Sequence, residues 1–387
     1  MKIGIICYPT FGGSGVVATE LGKALANNGH EVHFITYKQP ARLQDTFCTN
    51  IYYHEVSLSD YPLFDYAPYE TALASKVVDV AKYEKLDILH VHYAIPHASA
   101  AFMAQQILKS QGIYLPFLTT LHGTDITLVG KDPTYEPVVT FSINHSDGVT
   151  AVSESLRQDT YNHFKIDKEI KVIPNFIDFS RFSKSDKSHF KLAIAPHGEK
   201  ILMHTSNFRR VKRVDDVIKV FAKVNAVIPS KLLMIGDGPK RQECEQLARD
   251  LGVASDVRFL GKQQAIEELL AIGDLFLIPS ASESFGLAAL EAMACEVPVI
   301  SSNAGGLPEV NIDGKTGFVL DIGDVNGMAE KAIKLLDDAE MLAEFSKNAY
   351  DQARVFAIEN VLPLYEQYYC SIVDCSKLEA KKAALVE

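Results

Sequence analysis

Three groups of residues have the types and spacing to hold a phosphorylated, hydroxylated ligand. Gly12-Gly13-Ser14-Gly15 lies between a short apolar run and a helical pattern. Glycine lets a ligand come close to the backbone, and a helix N-terminus offers free N–H groups with partial positive charge, so this loop suits an anion. Ser206-Asn207-Phe208-Arg209-Arg210-Val211-Lys212-Arg213 carries four cations in eight residues. Arg presents planar bidentate donors to phosphate, and Lys adds a point charge. Cations at a helix start oppose its dipole, so a compensating anion accounts for them better than a solvated basic turn. Glu283-Ser284-Phe285-Gly286-Leu287-Ala288-Ala289-Leu290-Glu291 sets two carboxylates eight residues apart in a run of helix formers. With Glu283 at the helix entrance, Ser284, Phe285 and Gly286 can offer free N–H groups, and Glu291 is expected about two turns inside. Eight residues advance about 80° past two full turns, so the carboxylates do not share one stripe. They can still accept from the hydroxyls of one extended sugar ligand, Glu283 from the loop and Glu291 from the helix.

Each group follows an apolar β-type run. Lys2–Tyr8, Glu31–Thr36, Ile51–Val56, Leu86–His92, Pro116–Leu121 and Gly148–Val152 read as strands, with amphipathic stretches Val16–Asn28, Tyr69–Glu84 and Pro96–Ser110 between them. The pattern restarts after Pro174 with Ile201–Thr205, Lys231–Ile235, Val257–Leu260, Leu275–Pro279 and Val297–Ser301. Such alternation implies βαβ units, and two consecutive doubly wound α/β parallel sheets are the simplest account. Lys171–Asp178 is the expected junction, since Pro174 cannot continue a central strand. After Gly317–Leu320 the chain reads as helical, and its last helix, about Ile358 to Cys375, is expected to cross back to the first domain. The domains expected are 1–170 with the helix and tail 358–387, and 175–357. Ligands of open parallel sheets bind beyond the carboxyl ends of the strands, here in a cleft between two domains. A diphosphate facing both the Gly13–Gly15 loop and the basic loop would be held from both.

Weaker signals narrow the chemistry. Gly13-x-Gly15-x-x-Ala18 fits a dinucleotide fingerprint, but the second strand ends Ile35-Thr36-Tyr37-Lys38 without the acid that binds ribose, so NAD is excluded. Gly236-Asp237-Gly238-Pro239 and Gly305-Gly306 read either as turns or as points of close backbone approach. His90 and His92 share a strand face but lack a matching carboxylate set, so hydrogen-bonded roles are expected there rather than metal. His122, after a strand and beside Gly123, either packs its loop or meets a ligand.

At 387 residues the chain has room for two or three domains, and 47% hydrophobic with 22% charged residues is globular composition. The net charge of −11 argues against nucleic acid and anionic membrane as partners. No apolar run approaches the ~18 residues of a membrane span, and the N-terminus has no signal-peptide pattern. The six cysteines lack metal-type spacing, so a cytoplasmic protein with reduced thiols is expected.

Taken together, the motifs resemble the retaining glycosyltransferases of family four, with the GT-B arrangement of two Rossmann-like domains. The stretches that carry the resemblance are CYPTFGGSG (7–15), HVHYAIPHA (90–98), TTLHGTDIT (119–127), NFID (175–178), SNFRRVKR (206–213), GDGP (236–239) and ESFGL (283–287), and they span essentially the whole chain. Within that family they resemble the branch that moves N-acetylglucosamine from UDP-N-acetylglucosamine to the hydroxyl of L-malate, the first step of bacillithiol synthesis. The resemblance implies that Lys212 and Arg209 hold the diphosphate, with Gly13 and Gly15 approaching it. The wider family usually has an Arg five residues before its Lys. Here Asn207 stands there, so Arg209 takes that role. Glu291 is implied for the ribose hydroxyls, and Arg258 to Gly261 for the uracil. Glu283, with Ser284 and the N–H groups of Phe285 and Gly286, is implied for the sugar, and His122 for approach to the transferred sugar. Ser14, Tyr93, Thr120 and Asn175 are the candidates for the acceptor. No cofactor and no metal is implied, and no Asp-x-Asp motif is present. A homo-oligomer is compatible with the sequence. Alternatives are a GT-B transferase with another small or lipid acceptor, a UDP-N-acetylglucosamine epimerase, and a two-lobed solute-binding protein, which would need export.

Overall fold

The apolar runs become parallel strands because helices cover both of their faces. The computed structural model describes residues 1–10, 12–43, 48–58, 67–184 and 187–374. Its chain divides into two units, one of Met1–Asn175 plus the chain from Ile358 onward, the other of Phe176–Ala357. The first holds β1 (Lys2–Ile6), β2 (Glu31–Thr36), β3 (Ile51–Glu55), β4 (Ile88–His92), β5 (Phe117–Leu121), β6 (Gly148–Ala151) and β7 (Ile170–Val172). They form a seven-stranded sheet in the order 3-2-1-4-5-6-7, and every pairing is parallel. The second holds β8 (Lys200–Thr205), β9 (Ser230–Ile235), β10 (Val257–Gly261), β11 (Leu275–Ile278), β12 (Val299–Ser302) and β13 (Gly317–Leu320), in the order 10-9-8-11-12-13. Both orders reverse beside the first strand, which is the doubly wound topology expected from the sequence.

In the first unit, Ile6, Ile35, Leu89 and Val91 pack under the helices Tyr69–Glu84 and Ser99–Ser110 through Leu73, Val77, Ala101 and Leu108. In the second, Leu202, Leu232 and Met234 pack under the helices Val214–Asn225 and Val325–Asp337 through Val217, Phe221, Ala332 and Leu335. The last helix, Ile358–Val373, belongs to the first unit, where Tyr365 and Tyr369 are fully buried. Tyr369 reaches the strand β4, its hydroxyl 2.6 Å from His90 Nδ1, and the amide of Val149 donates to the Tyr368 hydroxyl. The expected end of this helix at Cys375, and the tail beyond it, lie outside the described residues.

Three local expectations are adjusted. The division between the units, Asn175/Phe176, lies within the expected junction Lys171–Asp178, but the first two residues of that stretch belong to a short edge strand, Ile170–Val172, which pairs with β6 and ends before Pro174. The helical stretch expected from Pro96 opens with a π-type turn, Ala94–Ala98, broken only at Ile95, which is extended (φ −130°, ψ 141°) as the residue before a proline prefers, and continues as the α-helix Ser99–Ser110. Cys7, Cys48, Cys244 and Cys295 are free thiols, but Cys370 is disulfide-bonded, so the expectation of wholly reduced cysteines fails at that residue. Among the described residues no helix is long and apolar enough to cross a membrane.

Candidate functional site

In the second unit the basic loop leaves the end of β8 and passes through a 3-10 turn, Arg210–Lys212, into the helix Val214–Asn225. The loop's anchor is Phe208, which is wholly buried although its φ is +41°. The four cations separate by role. Arg213 is taken up by Asp216, its Nε 2.6 Å from Oδ2. Arg209 and Arg210 are exposed and make no ion pair among the described residues. Lys212 is half-buried and its ammonium lies 2.6 Å from Glu283 Oε2. The backbone joins the same two loops, since Ala281 N–H donates to Val211 O at 2.8 Å. Ser280 Oγ adds a weaker 3.3 Å contact to the same Glu283 oxygen. The sequence reading gave Lys212 and Glu283 separate tasks and missed their direct contact.

The helix carrying Glu291 begins later than expected. Gly286 is its cap at φ +102°, and the helix runs Leu287–Ala294. Glu291 is therefore about one turn inside, not two, and is nearly buried at 9% exposure. Glu283 and Ser284 belong to the preceding loop. Phe285 packs inward, edge-on to Phe356 at 5.5 Å, so only its backbone can serve a ligand.

The small glycine signals turn out to brace these loops. A Cβ on Gly236 would lie 1.9 Å from Ser206 O, and one on Gly238 2.0 Å from Asn207 O. One on Gly305 would lie 2.0 Å from Glu283 O, and one on Gly306 2.5 Å from Ser284 O. Gly236 N–H also donates to Gly261 O at 2.8 Å, which ties the end of β10 to the same corner. Arg258 is exposed on β10, the edge strand.

In the first unit Gly13 caps the helix Ser14–Asn27 with φ +58°. A Cβ on Gly15 would meet Tyr8 O at 2.4 Å, so glycine there lets the helix start pack against the end of β1. Ser14 Oγ donates to the Tyr93 hydroxyl at 2.7 Å, which joins two acceptor candidates 79 residues apart. Tyr93 holds φ +88°, a costly conformation for a side chain of its size and one that concentrates at ligand sites. Asn175 is buried at 7% exposure and its Oδ1 has no partner. Thr120 differs: it is fully buried, its hydroxyl 2.7 Å from both His90 Nε2 and Thr150 Oγ1. Those contacts occupy it inside the unit, so it is not available to an acceptor in this conformation.

His122 sits over a stack of imidazoles. The His90 and His92 rings lie 4.4 Å apart and the His92 and His122 rings 5.0 Å apart, with His92 Nδ1 2.7 Å from His122 Nε2. As expected, His90 and His92 are hydrogen-bonded. Beside them Asp125 accepts from the backbone N–H groups of Ala94 and Gly123. Burial lowers His90 and His122 to about 3 and His97 to about 4, and puts His92 well below its ordinary value. Burial raises Asp125 to about 6. The histidines are thus neutral when folded, and the unfolded chain binds protons below pH ~6.5 that the folded one refuses, each worth up to ~1.4 kcal/mol per pH unit. Their stability is lost as pH falls from about 6.5 toward 4. Asp125 acts in the opposite sense between about pH 4 and 6, but is one group against four. The melting temperature is therefore expected to drop steadily from pH 7 to 5 in calorimetric scans. A constant or rising value over that range would contradict the neutral stack.

Two doubly wound sheets, each with its ligand-type loops at the ends of its strands, define the architecture of GT-B glycosyltransferases. Residues 11–181 match the family described as Glycosyltransferase Family 4, and residues 185–352 match Glycosyl transferases group 1. The chain belongs to the family-four glycosyltransferases. It is 48% identical over 375 residues to the N-acetyl-alpha-D-glucosaminyl L-malate synthase of Bacillus anthracis, covering 96% of this chain and 97% of that one. An uncharacterized glycosyltransferase of Methanocaldococcus jannaschii is 29% identical over 330 residues, covering 80% and 82%. Among solved structures, HepE of Anabaena in complex with UDP and glucose is similar at a TM-score of 0.81 and 22% identity, over 96% of this chain and all of that one. Sucrose-phosphate synthase from Thermosynechococcus elongatus matches at a TM-score of 0.80 and 22% identity, over 97% of this chain and all of that one. At that identity the structures speak for the fold alone.

Proposed function

We propose that this glycosyltransferase moves N-acetylglucosamine from UDP-N-acetylglucosamine to the hydroxyl of L-malate with retention at the anomeric carbon, the first step of bacillithiol synthesis. The observation that carries the reading is the 48% identity to a synthase of that activity, running the length of both chains. Lys212 and Arg209 are assigned to the donor diphosphate, with Gly13 and Gly15. Asn207, exposed on the same loop, borders that group. Glu291 is assigned to the ribose hydroxyls and the strand end from Arg258 to Gly261 to the uracil. Glu283 and Ser284, with the N–H groups of Phe285 and Gly286, take the sugar, and His122 approaches it. Ser14, Tyr93 and Asn175 take the malate. The unpartnered Oδ1 of Asn175 and the paired hydroxyls of Ser14 and Tyr93 support that choice.

In this reading the glycosidic bond to the diphosphate breaks as the malate oxygen bonds the anomeric carbon from the same face. The malate hydroxyl proton passes to an oxygen of the leaving phosphate. Catalysis then consists of positioning and of stabilising the charge that grows on the diphosphate. Lys212 supplies that charge stabilisation, and Glu283 fixes where its ammonium stands.

The test is one incubation with UDP-N-acetylglucosamine in chelator, with and without L-malate. UDP release that depends on malate, with a product of the combined mass, is the expected result. Release without malate would favour an epimerase or hydrolase, and release only with another acceptor would favour a sister transferase. Activity restored only by a divalent ion would overturn the role given to Lys212.

A further inference from the structure

We propose that His33, His54 and Glu84 form a site for one divalent cation of the zinc class, which fastens the edge strand β3 and the helix Tyr69–Glu84 to β2. These residues are 21 and 30 positions apart, so no local spacing announces them. The fold brings one ligand atom of each within 4.8 Å of the others. His33 Nδ1 and His54 Nε2 already face each other at 3.0 Å. Two imidazole nitrogens bound tetrahedrally at 2.0–2.1 Å stand about 3.3 Å apart, so only a small opening of that pair admits the ion. Glu84, the last residue of its helix, supplies the carboxylate, and water completes four-coordination.

The surroundings orient the ligands as in protein zinc sites. His33 is fully buried, and its far nitrogen, Nε2, lies 3.0 Å from Glu31 Oε1. That carboxylate accepts the Nε2 proton and so turns the lone pair of Nδ1 toward His54. Lys2, 2.6 Å from Glu31, keeps that carboxylate charged and is itself neutralised by it. Tyr52, opposite His33 in the sheet, stacks on its ring at 4.8 Å and 13° and fixes its plane. In the metal-free chain His54 Nε2–H donates to His33 Nδ1. When the ion binds, the His54 proton moves to Nδ1 of the same ring, so both facing nitrogens present lone pairs. Two imidazoles and one carboxylate favour zinc, copper or cobalt over magnesium and calcium, which prefer oxygen ligands.

The site shares no residue with the proposed reaction, so ion binding and glycosyl transfer are separate readouts. The full chain is stripped with chelator and titrated with Zn²⁺ alone against a chromophoric competitor, then with Co²⁺ alone. The expected result is one equivalent bound, with the visible absorption of four-coordinate cobalt. His54→Ala and Glu84→Gln are each expected to weaken binding by about 100-fold, and Glu31→Gln by about 10- to 100-fold. Replacing a histidine elsewhere, His163→Ala, is expected to change nothing. Glu84 ends a helix and is half-exposed, so Glu84→Gln keeps the test open if His54→Ala fails to fold. No binding tighter than the competitor, or binding that survives both Glu84→Gln and Glu31→Gln, overturns the proposal.

Discussion

Replacing Lys212 with alanine is expected to lower kcat by about 10²- to 10³-fold, the usual loss when a fixed donor to a developing oxyanion is removed. The expectation rests on what the loop spends on this side chain. Of the four cations in the basic run, Arg213 is committed to Asp216 and two point outward, while Lys212 alone is drawn inward and pinned at 2.6 Å. A charge already pinned needs little reorganisation when the leaving diphosphate becomes more negative, which is why its loss acts on kcat and not only on binding. UDP affinity is expected to fall as well, because the ammonium meets the ground-state diphosphate too. Lys212→Arg is not expected to restore the rate, since a planar fork does not reproduce a point charge held by a single carboxylate oxygen. Glu283→Gln offers a second handle on the same pair. If the two side chains work as a unit, the double variant loses little more than Lys212→Ala alone, as coupled sites do. Steady-state kinetics with saturating malate, together with UDP titration by calorimetry, would check both points. Turnover within a few-fold of the unsubstituted enzyme would remove Lys212 from the mechanism.

Much of this geometry was readable beforehand, and the misses have definite causes. The strands were legible because parallel strands buried on both faces leave unbroken apolar runs, and Glu31–Thr36 falls where its run predicts. The loops proposed to hold the donor stand out in the sequence because Gly15, Lys212 and Glu283 each follow a strand. The start of the helix holding Glu291 was misjudged because Ser284-Phe285-Gly286 looks like a first turn, whereas Gly286 turns left-handed and ends the loop there. Thr120 stands with the acceptor through the family resemblance alone, and its own stretch does not show that His90 and Thr150, on the two neighbouring strands, occupy its hydroxyl. The contact of Lys212 with Glu283 spans 71 residues, and that of Ser14 with Tyr93 spans 79. Such pairs are set by strand order, and strand order leaves no local pattern.

The same distance effect makes Gly305, distant from Glu283 in sequence but packed against its backbone, the second sensitive position. Gly305→Ala is expected to cost about 10²-fold in kcat/KM, although position 305 need touch neither substrate. Its φ of +54° already disfavours a side chain, and the added Cβ would fall 2.0 Å from the carbonyl oxygen of Glu283. Backbone cannot swing aside as a flexible side-chain end can, so the loop must shift by about an ångström. A shift of that size at a positioning group is enough for a loss of about 10²-fold. The loop has few ways to absorb it. Gly306 N–H holds Glu283 O at 2.9 Å, and Ala281 N–H holds Val211 O on the side of the basic loop. Displacement of Glu283 is therefore passed to Lys212 through their 2.6 Å contact, and the two roles fail together. Gly314→Ala is the matched control, with a similar φ of +69° but open space around the new methyl. Both variants incur the left-handed penalty of about 1 kcal/mol, so both are expected to lower the melting temperature slightly. Only Gly305→Ala should lose activity at temperatures where circular dichroism shows both folded. Equal kinetics in the two variants would mean that the Glu283 loop takes up the strain without moving its carboxylate.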